Sequence, residues 1–345
     1  MKILILSHKF FPNIGGIEVN SEILANAFCA AGHKVRLLTW SKDRTGKLFS
    51  FEVIRNPGLI ILFKEHFWAD IIFENNPCLR MAWPSLIISR PSVIALNTWI
   101  SRPNGTVGLI DKIKLSWLKR ASKVIAVSDA IRKRCFVNAI VIGNPYKNHE
   151  FKILADSPRI RDFVFLGRLV SDKGADQTIM ALHKITRLNL KENPLNILPT
   201  LTIVGDGPER AKLEHLVEKY SLKDQVRFTG SLVGEVLTSC LNQHRFILIP
   251  STWEEPFGNV ALEGMACGCV PIASDSGGLS DAVGEAGLTF TRGDSDALVD
   301  CIQAILKNPE IEKRLQDAAP GHLRKHHPYV VSKKYLDIFE NVLRS

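Results

Sequence analysis

Four side chains beyond residue 150 of this 345-residue chain have types and spacings suited to phosphate and hydroxyl chemistry. Arg168 and Lys173 lie in FLGRLVSDKGAD, and Glu255 and Glu263 in EEPFGNVALEGMACGCVPIASDSGG. A strand is expected to end at Gly167. Two cations and Gly174 before a helix then form a cradle for a diphosphate. The plain alternative is a solvated charged loop. Glu255 precedes Pro256 and so belongs to a loop, while a helix beginning near Phe257–Asn259 carries Glu263 and ends at Gly268. Carboxylates among Val260, Ala261, Leu262 and Met265 are costly to bury unless something pairs with them. The first amides of that helix, Gly258 to Ala261, suit phosphate oxygens. The two carboxylates suit sugar or ribose hydroxyls. Alternatively, Glu255 caps the helix and Glu263 is merely exposed. Taken together, these residues describe a site for a nucleoside diphosphate carrying a sugar.

Glycines mark other strand ends. In SHKFFPNIGGIEVN a strand ends at Ser7–His8, and Gly15-Gly16 precede a helix. They either admit a ligand to the helix N-terminus or make an ordinary strand-to-helix turn. The stretch is not GxGxxG, and no acidic residue closes the second strand, which disfavours a dinucleotide site. VGDGPER reads first as a tight turn, with Gly205 also leaving room for a ligand.

These residues need a scaffold that brings strand ends together. KILILSH, KVRLLTW, ADIIFEN, SVIALNTW, KVIAVS and AIVIGNP are short apolar runs separated by helical stretches such as Ile17–Ala31. The pattern lapses around NPYKNHEFKILADSPRIRD. It then restarts with DFVFLGRL, LTIVGDG, QVRFTGSL, RFILIPS, CVPIAS and AGLTF. Alternation of this kind predicts an α/β chain with two Rossmann-like, doubly wound domains facing a cleft and joined near residues 146–160. Ligands bind beyond the carboxyl ends of such strands, where all these motifs fall. Val331–Leu343 reads as an amphipathic terminal helix.

Composition narrows the class. No apolar run has the roughly 20 residues of a membrane span. The short run after Lys2 reads as a first strand rather than a signal peptide, so a cytoplasmic protein is expected. The seven cysteines are scattered, with no CxxC pair, and read as buried free thiols. The net charge is +9, yet residues 1–150 hold 21 Lys+Arg against 10 Asp+Glu. The basic surplus therefore lies in the first half, which suits an anionic partner. Without a basic arm or zinc-finger spacing, nucleic acid is disfavoured.

The chain resembles the retaining glycosyltransferases of family 4, with their two-domain GT-B architecture. The resemblance runs over nearly the whole length. It is carried by Gly15-Gly16, SDAIRK, GRLVSDKG, VGDGPER, FTGSL and the Glu-x7-Glu stretch from Glu255 to Glu263. It implies an acceptor-binding domain over residues 1–150, joined by the terminal helix 331–345, and a donor-binding domain over 151–330. Arg168 and Lys173 would neutralise the diphosphate, and Glu255 would contact the donor sugar. Glu263 would hold the ribose. The amides of Phe257, Gly258, Asn259 and Val260 would hold sugar and phosphates, with Gly167 and Gly205 lining the site. Gly230, Ser231 and Leu232 would lie near the base, and Gly15 and Gly16 would meet the phosphate from the other domain. The resemblance implies neither metal nor cofactor, the protein cations doing a metal's work. It also implies retention by front-face attack, with a diphosphate oxygen helping to deprotonate the acceptor. One departure stands out: many members have a His where this chain has Asn97, which can donate a hydrogen bond but carries no charge. His8 is the candidate to compensate.

The acceptor side is less constrained. In GLIDKIKLSWLKRASK, read as one helix, Ile110, Ile113, Trp117 and Ala121 share a face, and Lys112, Ser116, Lys119 and Lys123 another. This is either a core-packed helix with a solvated basic face or a surface for anionic lipid. Many members of the family extend lipid-linked glycans. The reading is therefore a hexosyltransferase using a nucleotide-sugar donor, UDP-sugar favoured over GDP-sugar. Its acceptor would be a lipid-linked saccharide of a cell-surface polysaccharide, at the inner face of the membrane. A nucleotide-sugar epimerase of the same architecture and an inactive nucleotide-sugar-binding subunit are the alternatives.

Overall fold

The computed structural model describes residues 1–13, 15–101, 106–155, 157–192 and 198–344, the side chains of 189–192 excepted. The chain forms two units, Met1–Tyr146 with His326–Ser345, and Lys147–Lys325.

In the first unit, β1 (Lys2–Leu6), β2 (Lys34–Thr39), β3 (Glu52–Arg55), β4 (Ile71–Asn75), β5 (Ser92–Leu96), β6 (Lys123–Ala126) and β7 (Ile140–Val141) form a parallel sheet in the order β3-β2-β1-β4-β5-β6-β7. Ile3 pairs with Val35 on one side and Ile71 on the other. Residues 3–6 and 71–75 are buried throughout because helices cover both faces of the sheet. The strand order reverses between β1 and β4, so the loops at their carboxyl ends open onto a switch point.

One face of this sheet is closed by the terminal helix Pro328–Arg344. Its Tyr335 and Phe339 are fully buried against Phe28 and Phe73, with ring centroids 5.4–6.5 Å apart. Aromatic residues bury more apolar area than any others, so this cluster is a main source of the unit's stability.

In the second unit, β8 (Arg161–Leu166), β9 (Leu201–Val204), β10 (Val226–Gly230), β11 (His244–Ile249), β12 (Val270–Ser274) and β13 (Leu288–Phe290) form a parallel sheet in the order β10-β9-β8-β11-β12-β13. Its switch point lies between β8 and β11, where Phe163 and Phe246 pack 5.6 Å apart on paired residues.

Every apolar run identified in the sequence contains an observed strand. The addition is β3, a four-residue edge strand with a half-exposed pattern that gives no periodic signal. The helix over the GLIDKIKLSWLKRASK stretch spans only Leu109–Leu118, so the single-helix reading is corrected. Lys119 and Ala121 lie beyond its end, and Lys123 begins β6. Trp117 packs against the core, while Ile110 and Ile113 are exposed. All seven cysteines are free: four are buried, whereas Cys29, Cys240 and Cys301 are only partly so.

Candidate functional site

The carboxyl ends of β8, β9 and β10 are built of glycine. Gly167 follows β8, Gly205 follows β9 and Gly230 closes β10, and the Gly205 amide donates to the Gly230 carbonyl at 2.9 Å. A Cβ on Gly205 would lie 1.8 Å from the Gly167 carbonyl oxygen, and its φ is +141°. Close approach of two backbones therefore accounts for this glycine. Beyond Gly230, Ser231 is exposed and Leu232 half-buried.

Arg168 follows Gly167 and is exposed, with no side-chain partner among the described residues. The chain then makes a single 3-10 turn, Ser171–Lys173, and turns through Gly174 into the helix Ala175–Glu192. The Asp172 carbonyl staples this turn to the loop after β11. It accepts from the Thr252 and Trp253 amides at 2.9 and 3.2 Å, and from the Ser251 hydroxyl at 3.0 Å. The staple places the Lys173 ammonium on the Glu255 carboxylate, and the same carboxylate oxygen lies 2.9 Å from the Ser251 hydroxyl. Both side chains remain partly exposed. The Glu255 carbonyl accepts from the Gly278 amide at 2.7 Å, tying in the SDSGG loop. Glu255 thus engages a lysine and is not the helix cap.

The helix spans Asn259–Ala266 after buried Phe257, and no side chain caps it. Gly258 precedes it at φ +110°, where a Cβ would also strike Leu279. The positive end of the helix, with Asn259 and Val260 in its first turn, follows Glu255 by four residues. Glu263 is half-buried one turn on, and its carboxylate makes no hydrogen bond among the described residues. Burial pushes its pKa up to about 7; the Glu150 carboxylate adds to the rise, and the Lys147 ammonium opposes it. Such a group is poised for a hydrogen-bond donor. This side of the sheet thus combines two cations, a helix start and two carboxylates, which suits a ligand with anionic and hydroxylated parts.

In the first unit, Gly15 caps the helix Gly16–Ala30 in an extended conformation. His8 is exposed after β1; partial burial and the nearby Arg80 and Lys114 charges keep its pKa below the usual value. Asn97, after β5, is buried and committed to neighbours. Its carboxamide oxygen accepts from Asn20 at 2.9 Å, its amide group donates to Asn75 at 2.5 Å, and Asn20 also donates to Asn144 at 3.1 Å. Asn75 in turn donates to Ser21 at 2.6 Å, and Ser21 lies 3.1 Å from Ser7. A six-residue polar chain thus crosses the buried strand ends. Asn20, Asn75 and Ser21 escaped the sequence reading because single polar residues inside apolar elements carry no spacing signal.

Glu74 was also missed. It is buried at the end of β4 and accepts from the Cys78 amide at 2.7 Å and the Trp117 indole at 2.8 Å. Burial pushes its pKa up to about 7 against the pull of those two donors. Its only sequence signal was a carboxylate that follows three apolar residues in a strand.

Known proteins resemble this chain at several levels. The sequence profile of the family described as glycosyl transferases group 1 matches residues 146–322. An uncharacterized glycosyltransferase of Methanocaldococcus jannaschii is 31% identical, the match covering 91% of each chain. The phosphatidylinositol N-acetylglucosaminyltransferase gpi3 subunit of Schizosaccharomyces pombe is 25% identical over 87% of this chain and 72% of its own. Against an uncharacterized glycosyltransferase of Bacillus subtilis the chain spans 56% of that protein's length. In fold, the chain is similar to Anabaena HepE in complex with UDP, with a TM-score of 0.83 at 20% identity over 99% of this chain and 100% of that one.

Proposed function

The chain belongs to the glycosyl transferases group 1 family, and on that premise we propose that it is a retaining enzyme of family 4. It moves a hexosyl group from a nucleotide-diphosphate sugar, UDP-sugar favoured, to a lipid-linked saccharide acceptor in cell-surface polysaccharide synthesis. One observation carries the reading: Lys173, Glu255, the helix start at Asn259 and Glu263 occupy the carboxyl-end side of one sheet. HepE, whose structures hold UDP and UDP-glucose, supports the choice of donor.

In the reaction, the bond between the sugar's anomeric carbon and the diphosphate oxygen breaks, and a bond to the acceptor oxygen forms on the same face. The acceptor's proton passes to the departing diphosphate. Arg168 and Lys173 offset the charge that grows on the leaving group, which is where preorganised cations contribute most, and no metal is needed. The helix amides from Phe257 to Val260 hold phosphate and sugar oxygens. Glu255 orients the sugar and Glu263 the ribose, while Gly230, Ser231 and Leu232 flank the base.

We assign the acceptor site to the first unit, with His8 after β1 as its candidate sugar contact, while the Asn97 carboxamide, engaged by Asn20 and Asn75, holds the strand ends in place. Leu59, Ile60, Phe67, Ile87, Leu109 and Ile110 are exposed on this basic unit. They support peripheral contact with an anionic membrane surface. No described helix is long and apolar enough to cross a membrane.

The test is a thermal-shift screen of UDP, GDP and ADP with their sugars, repeated on Glu263→Ala. One nucleotide family should stabilise the wild type and not the variant. Stabilisation by none of them would overturn the proposal.

A further inference from the structure

A cavity of about 330 Å³ lies in the second unit, at the end of the Asn259–Ala266 helix opposite its uncapped N-terminus. Its walls come from Met265 and Ala266 in the last turn of that helix, Val270 of β12 and Leu315 and Ala319 of the helix Pro309–Lys325. The space exists because small residues meet there: Ala266, Gly268, Ala286 and Ala319 all face it. Pro320, also in the wall, has no N–H for the Gln316 carbonyl, so the helix lacks one of its own hydrogen bonds beside the opening.

Among the described residues, its one charged lining residue is Arg159. The guanidinium donates to the Cys267 carbonyl at 2.8 Å and to the His244 carbonyl, and occupies the space that a Cβ on Gly268 would need. Those bonds use two of its five N–H groups. No carboxylate pairs with it among the described residues. A mostly apolar cavity of this volume, with the polar groups of Arg159 and Gln316 at its wall, has the composition of a small-molecule site. This cation decides the ligand's charge: an anionic head gains a charge-assisted hydrogen bond, whereas a cationic head is repelled.

We infer that this cavity binds a compact amphipathic monoanion, of which a medium-chain carboxylate is the simplest form. The chain fills the space between Met265, Val270 and Leu315, and the head group meets Arg159. This site shares no residue with the proposed donor site, so it stands or falls independently of the proposed activity.

The test uses the full chain labelled at its methionine methyl groups and titrated with decanoate below its micelle concentration. Decylammonium is the matched cation. Met265 lines the cavity, whereas Met81 belongs to the core of the first unit. The Met265 signal should move saturably with decanoate while the Met81 signal stays. Arg159→Gln should weaken the effect at least tenfold, and Ala319→Phe, which fills the cavity, should abolish it. Unchanged Met81 and Met180 signals would show that each variant has folded. A Met265 signal that does not move, equal binding of decylammonium, or full binding by Arg159→Gln would each overturn the inference.

Discussion

The Lys173 ammonium rests on the Glu255 carboxylate although the two residues stand 82 positions apart in sequence. Two amide and two hydroxyl bonds to the Asp172 carbonyl hold the two loops in register. The pair is partly exposed, so its contribution to stability is below about 1 kcal/mol. Its part in the reaction is larger, because Lys173 is proposed to meet the leaving diphosphate. Lys173→Ala should leave the melting temperature within about 2 °C of wild type. It should lower kcat roughly 10²–10³-fold with the preferred UDP-sugar. Steady-state kinetics with calorimetry checks both, and an unchanged kcat would remove Lys173 from the proposed machinery.

Glu263 should make donor binding depend on pH. Its pKa in the fold is about 7, above the ordinary carboxylate value, chiefly because it is buried. A ribose hydroxyl that donates to it favours the ionised form. Affinity for UDP-glucose, whose diphosphate has no ionisation in this range, should therefore rise from pH 6 to pH 8 and level off above it. Glu263→Gln should bind more weakly and show a flat profile in isothermal titration.

Glu74 governs stability rather than binding. Glu74→Ala strands the Cys78 amide and the Trp117 indole without their buried acceptor, and should cost about 2–4 kcal/mol in urea unfolding. Glu74→Gln keeps an acceptor and should cost less. The sign of the pH effect follows from the direction of the shift. A carboxyl whose pKa is raised on folding, here to about 7, contributes its stability fully below its unfolded pKa near 4.5 and loses it as pH rises through 7. Glu74→Gln should flatten the decline between those limits, leaving the share due to Glu263.

Phe339→Ala should destabilise the first unit by about 3–5 kcal/mol, because the ring is fully buried between Phe28, Phe73 and Tyr335. Denaturant unfolding followed by near-ultraviolet circular dichroism would register the loss. A change below 1 kcal/mol would mean that the terminal helix is dispensable to this core.

The strands were legible because parallel sheets covered on both faces require unbroken apolar runs, and KILIL and VPIAS are such runs. The helix Asn259–Ala266 was legible from Gly258, Gly268 and the small residues between them. Contacts formed across the chain were not. Nothing in the sequence near Ser251 announces its contact with Glu255, and the four amides joined through Asn20 and Asn97 come from distant elements. Asn97 could be picked out as a departure from a family pattern, but its being locked by Asn20 and Asn75 is a property of packing. Glu74 was overlooked for the converse reason, since a carboxylate in a strand gives no hint of the indole that will reach it.

The backbone contact between Gly205 and Gly167 also limits how this protein can diversify. With 1.8 Å available to a Cβ, position 205 is closed to every other amino acid, whatever advantage a side chain there would bring to nucleotide selection. On the proposed placement of the base, variation enters instead through the segment after Gly230, where Ser231, Val233 and Val236 are exposed. A saturation library across this rim should return glycine alone at 205, glycine again at 234, where φ is +60°, and a wide range of residues at 231, 233 and 236. A change of nucleotide preference, if selection can reach one, would be written in that second stretch.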